Sequence, residues 1–368
     1  MDNSTTNARG PTSTGFHLVA GPGGSRAILG VAGALMAIEQ SKLKDQIVTE
    51  GGISGGSIPL FLHAMRVPVS RIVAIAAELE FHSLLEKHRS TSDVMVPHLW
   101  KNRYSGMRPK QGVYKTLKLK EWADSFGSAW PERYWTMAVM DCDGMSESND
   151  GQREPLTMFT REGIFLSRPD GTFEKLCAPV LTPGQAIQAT CAVPGVIDPF
   201  AFSLPDGREL LLFDGGLGPE GRRPISIPRQ CFGAQWQDLI LIDVGPEVST
   251  IDLTFNRLWR WICGGRCVPL TTKKRTEEEK MLLIEPEITQ VRSFEFNAPR
   301  DRKWQAIMTG YGSALMALEK ARLIEDAALS QGKDLVAQFL IIVADCRKTK
   351  EGELALRTEK LLAESSLV

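Results

Sequence analysis

Histidine is scarce and one-sided in this 368-residue sequence: the five are His17, His63, His82, His88 and His98, and none follows residue 98. Cysteine is little better supplied, with seven scattered from Cys142 to Cys346. Only Cys263 and Cys267 lie close together, and no neighbouring histidine or second cysteine pair completes a zinc site, so no metal is expected. A GK[ST] sequence is missing altogether, which excludes a Walker A phosphate loop. Charge of one sign is missing too: 43 Lys+Arg face 44 Asp+Glu, for a net charge of −1. Nucleic acid is therefore not an expected partner of the molecule as a whole. The opening MDNSTTNARGPTSTG has no apolar stretch of the signal-peptide kind. The strongest apolar run, 335–344, is broken by Gln338 and has about half the length of a membrane span. These absences point to a cytoplasmic protein of a reducing compartment. With 43% hydrophobic and 24% charged residues, the composition is that of a globular chain.

What is present is a strand–glycine–helix rhythm. Residues 1–15 are polar and aperiodic and read as a flexible tail. FHLVA at 16–20 reads as a buried strand, 27–40 as a helix, IVTE at 47–50 as a second strand and 57–65 as a second helix. Pro59 is compatible with that helix because it falls in the first turn. Further strands are expected at 134–140, 210–213 and 239–244, and helices at 182–191 and 304–329. Leu315, Met316 and Leu318 read as core residues of the last helix. The division that follows is one α/β domain over 16–345, with insertions at about 84–133 and 250–285, and a C-terminal extension over 346–368.

Three loops after strands carry the chemistry. Gly21-Pro22-Gly23-Gly24-Ser25-Arg26 can aim backbone amides at an anion from a helix N-terminus, or can simply be a tight turn. Gly52-Ile53-Ser54-Gly55-Gly56 fits G-x-S-x-G, in which small residues permit the sharp turn that exposes a serine hydroxyl. Asp214-Gly215-Gly216 is by itself an ordinary turn sequence. In a parallel sheet all three loops open at one carboxyl edge. An α/β-hydrolase triad runs serine, acid, histidine, and after Ser54 and Asp214 no histidine remains. Either another order applies, or the serine uses an aspartate directly as its base.

These residues resemble the patatin-like phospholipase family, which joins a glycine-rich oxyanion loop, a G-x-S-x-G serine and a D-G-[AG] aspartate in that order without histidine. The matching stretches are PGGSRA at 22–27, GISGG at 52–56 and DGG at 214–216. AIQATCAVPGVIDPF at 186–200, LILIDVG at 239–245 and GYGSALMALE at 310–319 are also similar. The chain departs from the pattern at Pro22, at Ala27, and at Arg223-Pro224, which stands near the family's usual Asn-Pro.

The resemblance implies a three-layer α/β/α fold with a mostly parallel central sheet. It further implies a lipid acyl hydrolase of the phospholipase or lysophospholipase type, needing no cofactor. Ser54 is then the nucleophile and Asp214 the general base, with Gly23, Gly24, Ser25 and Arg26 forming the oxyanion loop and Gly52 and Gly56 the nucleophile elbow. Its implied partners are a phospholipid or other acyl-lipid substrate and, as in many bacterial members, a protein or small-molecule activator. Secretion as an effector without a signal peptide is compatible with it. The insertion at 250–285 places Arg257, Trp259, Arg260 and Trp261 in a basic, aromatic segment that suits peripheral contact with an anionic membrane, or a surface loop with its rings tucked inward. Acyl transfer to an acceptor other than water, a silent binding or scaffold protein on the same fold, and a nucleotide-binding α/β protein are the alternatives.

Overall fold

In a computed structural model the chain is described over residues 15–102, 109–140, 155–168, 170–205, 207–218, 223–245, 280–347 and 349–365. β1 (Phe16–Ala20) leads through the first glycine loop into α1 (Gly24–Glu39), and β2 (Ile47–Gly52) leads through the second into α2 (Ser57–Ala64). After α3 (Val69–Glu78) come β3 (Glu86–Lys87), α4 (Thr91–Asn102), β4 (Tyr114–Lys115) and α5 (Leu117–Asp124). β5 (Tyr134–Met140), β6 (Leu156–Thr160), β7 (Gly163–Ser167) and β8 (Phe173–Cys177) precede α6 (Pro183–Thr190). β9 (Phe200–Ser203), β10 (Glu209–Asp214), α7 (Ser226–Cys231), β11 (Leu239–Ile242) and β12 (Leu282–Ile284) follow. The chain closes with α8 (Arg300–Lys320), α9 (Asp326–Cys346) and α10 (Glu353–Glu364).

Among the described residues ten strands form one mixed sheet, with β3 and β4 paired apart from it. Its parallel block is β12-β11-β1-β2-β5; β6, β7 and β8 continue it antiparallel beyond β5. Strand alternation sends side chains to two covered faces. Leu18, Ala20, Ile240 and Ile242 pack with α1, α2, α3 and α8, while Val19, Leu239 and Leu241 pack with Ile225, Ile227 and Trp236 around α7. Both faces being covered is why LILI reads as an unbroken apolar run and FHLVA is apolar apart from His17, which bonds Thr49.

One expectation about direction is overturned. β10 runs antiparallel to β5, so the Asp214 loop does not leave a parallel strand. β2 pairs with β5 up to Gly52 opposite Thr136, and β10 pairs with the same edge of β5 down to Asp214 opposite Ala138. The two strands meet head-on, their ends separated by two residues of β5, about 7 Å. The serine and aspartate loops converge because their strands approach from opposite directions.

The last helices also differ from expectation. Residues 304–329 are not one helix: α8 stops at Lys320, Arg322 adopts φ 58°, and α9 begins at Asp326. The break is held by contacts distant in sequence, with the Lys42 N–H on the Leu323 carbonyl and Ile324 buried. Met316 is 64% exposed, whereas Leu315 and Leu318 are core. The apolar run 335–344 lies inside α9, whose 21 residues are long and apolar enough to cross a membrane by length and composition. α9 leaves Leu340 and Ile341 exposed and buries Leu335 and Phe339. The C-terminal segment docks on α8, where Asp301 accepts the N–H groups of Gly352 and Ala355 and Trp304 donates to Glu359.

Candidate active site

Ser54 stands on the turn between β2 and α2 with φ 53°, a left-handed conformation unusual for a side-chain-bearing residue. Its N–H, outside any ladder, donates to Thr190 Oγ1 at 3.0 Å, and its carbonyl accepts the Ser57 hydroxyl at 2.6 Å. The flanking glycines are required by crowding. A Cβ on Gly56 would overlap the Gly21 carbonyl, and one on Gly55 would overlap the Gly24 carbonyl, so the two glycine loops press against each other. Ser54 is 6% exposed and Asp214 4% exposed.

The Ser54 side chain lies close enough to the Asp214 carboxylate to pull its pKa down. Asp214 Oδ1 also accepts the Gly216 N–H at 2.8 Å, and the Asp214 N–H donates to the Ala192 carbonyl at 2.9 Å. Burial drives the Asp214 pKa up to about 6, against the opposing pull of Ser54 and Gly216. The buried Cys191 thiol beside it is raised by burial and by the Asp214 charge. Asp214 thus sits where it can exchange a proton near neutral pH.

The first glycine loop caps α1. Gly24 has φ 55°, Gly23 precedes the helix, and among the described residues no acceptor takes the N–H of either. The Ser25 N–H is occupied by the Ser293 carbonyl at 2.9 Å, and Ser25 Oγ is buried with no partner among the described residues. Arg26 engages backbone beyond β11: its buried guanidinium donates to the carbonyls of Ile288, Val244 and Gly245 at 3.0, 2.8 and 3.3 Å, which ties the loop to the end of β11. Arg223, at the Asn-Pro place of the resemblance, pairs with Asp243 at 3.0 Å and Glu285 at 2.9 Å beyond the ends of β11 and β12.

Ser54, Gly24, Ser25 and Gly55 open onto a cavity of about 60 Å³. Its walls are apolar: Ile28 and Ile58 from the two helices, Phe81 and Leu119, and Phe294 and Phe296 from the segment before α8. No histidine lines it. His63 is bound to the buried Glu50 at 2.7 Å, His17 to Thr49 at 2.7 Å and His88 to Asp198 at 3.0 Å. Burial lowers the His63 pKa less than the Glu50 hydrogen bond and charge raise it, so it ends above its ordinary value.

Sequence reasoning brought together Ser54, Asp214, Gly23, Gly24, Gly52 and Gly56, which the structure also gathers. It missed Thr190, Ser293, Phe294 and Phe296. The only sequence trace of Thr190 is its place in ATCAVPG, and the strap at 292–296 has none. Arg257, Trp259, Arg260 and Trp261, with Cys263 and Cys267, lie outside the described residues.

No family model matches the chain, and no curated protein does. Among solved structures it is similar to VipD from Legionella pneumophila, at 12% identity and TM-score 0.44 over 96% of this chain and 79% of that one. It is similar to human GIVD cytosolic phospholipase A2 at 11% identity and TM-score 0.45, over 87% of this chain and 63% of that one. The type III effector protein ExoU is similar at 12% identity and TM-score 0.38, over 96% of this chain and 69% of that one.

Proposed function

We propose that this chain is a patatin-like lipid acyl hydrolase working through Ser54 and Asp214. The observation that carries the reading is a serine held at φ 53°, beside a buried aspartate whose pKa it lowers, at the head of an apolar cavity that no histidine lines. Asp214 accepts the Ser54 proton as the hydroxyl attacks an ester carbonyl, and the N–H groups of Gly23 and Gly24 take the developing oxyanion. Collapse expels the alcohol, which recovers the proton from Asp214. Water, deprotonated by the same carboxylate, then releases the acid from Ser54. Walls of isoleucine, leucine and phenylalanine suit an acyl chain, so the substrate class is a carboxylic ester of a lipid.

The test is labelling of purified protein by a fluorophosphonate, followed by release of fatty acid from phospholipid vesicles. Labelling and hydrolysis lost together in Ser54→Ala and in Asp214→Asn are the expected result. Full esterase activity in folded Ser54→Ala would sink the reading. Absence of labelling in well-folded wild type, with and without anionic vesicles, would indicate a silent binding protein on this fold. Acyl transfer is separated from hydrolysis by adding an alcohol acceptor and looking for a new ester.

A further inference from the structure

Ser54 and Asp214 are linked through a third segment of the chain. Thr190 Oγ1 accepts the Ser54 N–H at 3.0 Å, and two residues on, the Ala192 carbonyl accepts the Asp214 N–H at 2.9 Å. Three consecutive residues, with end Cα atoms no more than about 7 Å apart, thus hold both loops. The unit is itself anchored. α6 begins with a capping box between Thr182 and Gln185, and Asp124 of α5 accepts from the Thr182 hydroxyl at 3.0 Å and the Gly184 N–H at 3.0 Å. Gln188 reaches the Thr116 carbonyl at 2.8 Å, and Thr190 is fully buried. Ser54 needs such a restraint, because its left-handed backbone costs energy that surrounding bonds must offset.

We infer that Thr190 is a positioning residue, whose hydroxyl sets the Ser54 backbone in register with Asp214 through the turn at 190–192. This rests on the Ser54–Asp214 reading above. A valine in its place keeps the volume and removes the acceptor, freeing the Ser54 turn to relax away from the carboxylate. A serine keeps the acceptor. Misplacement of a reacting group by about an ångström costs on the order of 100-fold in rate, so a smaller displacement corresponds to a loss of roughly 10- to 100-fold.

The experiment compares wild type, Thr190→Val and Thr190→Ser by fluorophosphonate labelling rate, by kcat and KM on an ester, and by amide hydrogen exchange at Ser54. In Thr190→Val, labelling and kcat are expected to fall about 10- to 100-fold while KM holds, with Thr190→Ser close to wild type. The acid limb of the Thr190→Val rate profile should also move to higher pH, since the Ser54 side chain is one of the two groups that hold Asp214 down against burial, with the buried Cys191 thiol beside it. A purely structural threonine would lower melting temperature without moving that limb. Wild-type labelling in folded Thr190→Val overturns the inference. So does a wild-type Ser54 amide that exchanges as fast as an exposed loop, a reading that needs neither activity nor a folded variant. Wild type that fails to label while its Ser54 amide is protected defeats the hydrolase reading and leaves the Thr190 bond standing.

Discussion

Ser293 places its carbonyl oxygen on Ser25, accepting that N–H at 2.9 Å, and the same oxygen lies where a Cβ on Gly24 would fall. The strap that carries it sends Phe294 and Phe296 into the walls of the cavity beside Ser54. It is held by Arg302, which pairs with Glu295 and donates to the Gln290 carbonyl at 3.1 Å, and by the His82 N–H on the Phe296 carbonyl at 3.2 Å. The resulting cavity of about 60 Å³ is small beside the roughly 300–1,000 Å³ of pockets that enclose whole ligands.

Shortening Phe296 to alanine removes one aromatic wall. Phe296→Ala is expected to raise kcat/KM for an octanoyl ester several-fold relative to a butyryl ester. The measurement is the ratio of the two esters in variant and wild type. An unchanged ratio would mean that the chain does not run along this cavity.

Backbone strain at Ser54 gives a stability test independent of substrate. Alanine and glycine both remove the hydroxyl, but only glycine adopts φ 53° without a Cβ penalty. Ser54→Gly should be more stable than Ser54→Ala by about 1 kcal/mol. Urea unfolding of the two inactive variants measures it, and equal midpoints would show that the turn relaxes when the side chain goes.

Much of the parallel block was legible because its physics is local. FHLVA and YWTMAVM match β1 and β5 residue for residue, since a strand covered on both faces is predominantly apolar. The glycine loops were legible because close approach excludes side chains. The antiparallel extension was not. β6 and β7 turn at Arg161-Glu162, which lacks an Asn-Gly or Asp-Gly signal, and Gly163 takes the positive φ one residue later. The direction of β10 was equally hidden, because LLLF reads alike in either orientation. The break after Lys320 falls in KARLIED, where every residue tolerates a helix, and it follows from Lys42 and Leu323 instead. Thr190, Ser293 and Phe296 act through contacts from 136 to 268 residues away, which no local pattern encodes.

Arg26 is expected to matter for stability first and for rate only through the loop. Its fork satisfies three carbonyls at once, two of them in buried bonds, and a lysine ammonium cannot reproduce that planar geometry. Arg26→Lys should cost roughly 2 kcal/mol, read as a lower urea midpoint. Its labelling rate should fall only modestly. A variant as stable as wild type but unable to label would instead place the guanidinium in contact with substrate.

Asp214 sets function against stability. Its carboxyl lies near 3.8 in an ordinary setting and is driven up to about 6 here by burial, so the folded state favours the protonated form. Below pH 4 both folded and unfolded states hold the proton and the residue costs nothing. As pH rises through 6 the folded protein must carry a buried carboxylate, and the difference amounts to roughly 3 kcal/mol at ~1.4 kcal/mol per pH unit. Activity runs the other way, because only the ionised carboxylate can take the Ser54 proton, and it should rise through about pH 6. Asparagine keeps the acceptor for the Gly216 N–H and carries no charge. Asp214→Asn should therefore melt above wild type at pH 8, by up to that margin, match it near pH 4, and lose at least about 100-fold in esterase rate. Melting curves of the two proteins across pH 4–8 decide it. Parallel curves would mean that Asp214 is already ionised at low pH, and the rate profile would then lack its limb near 6.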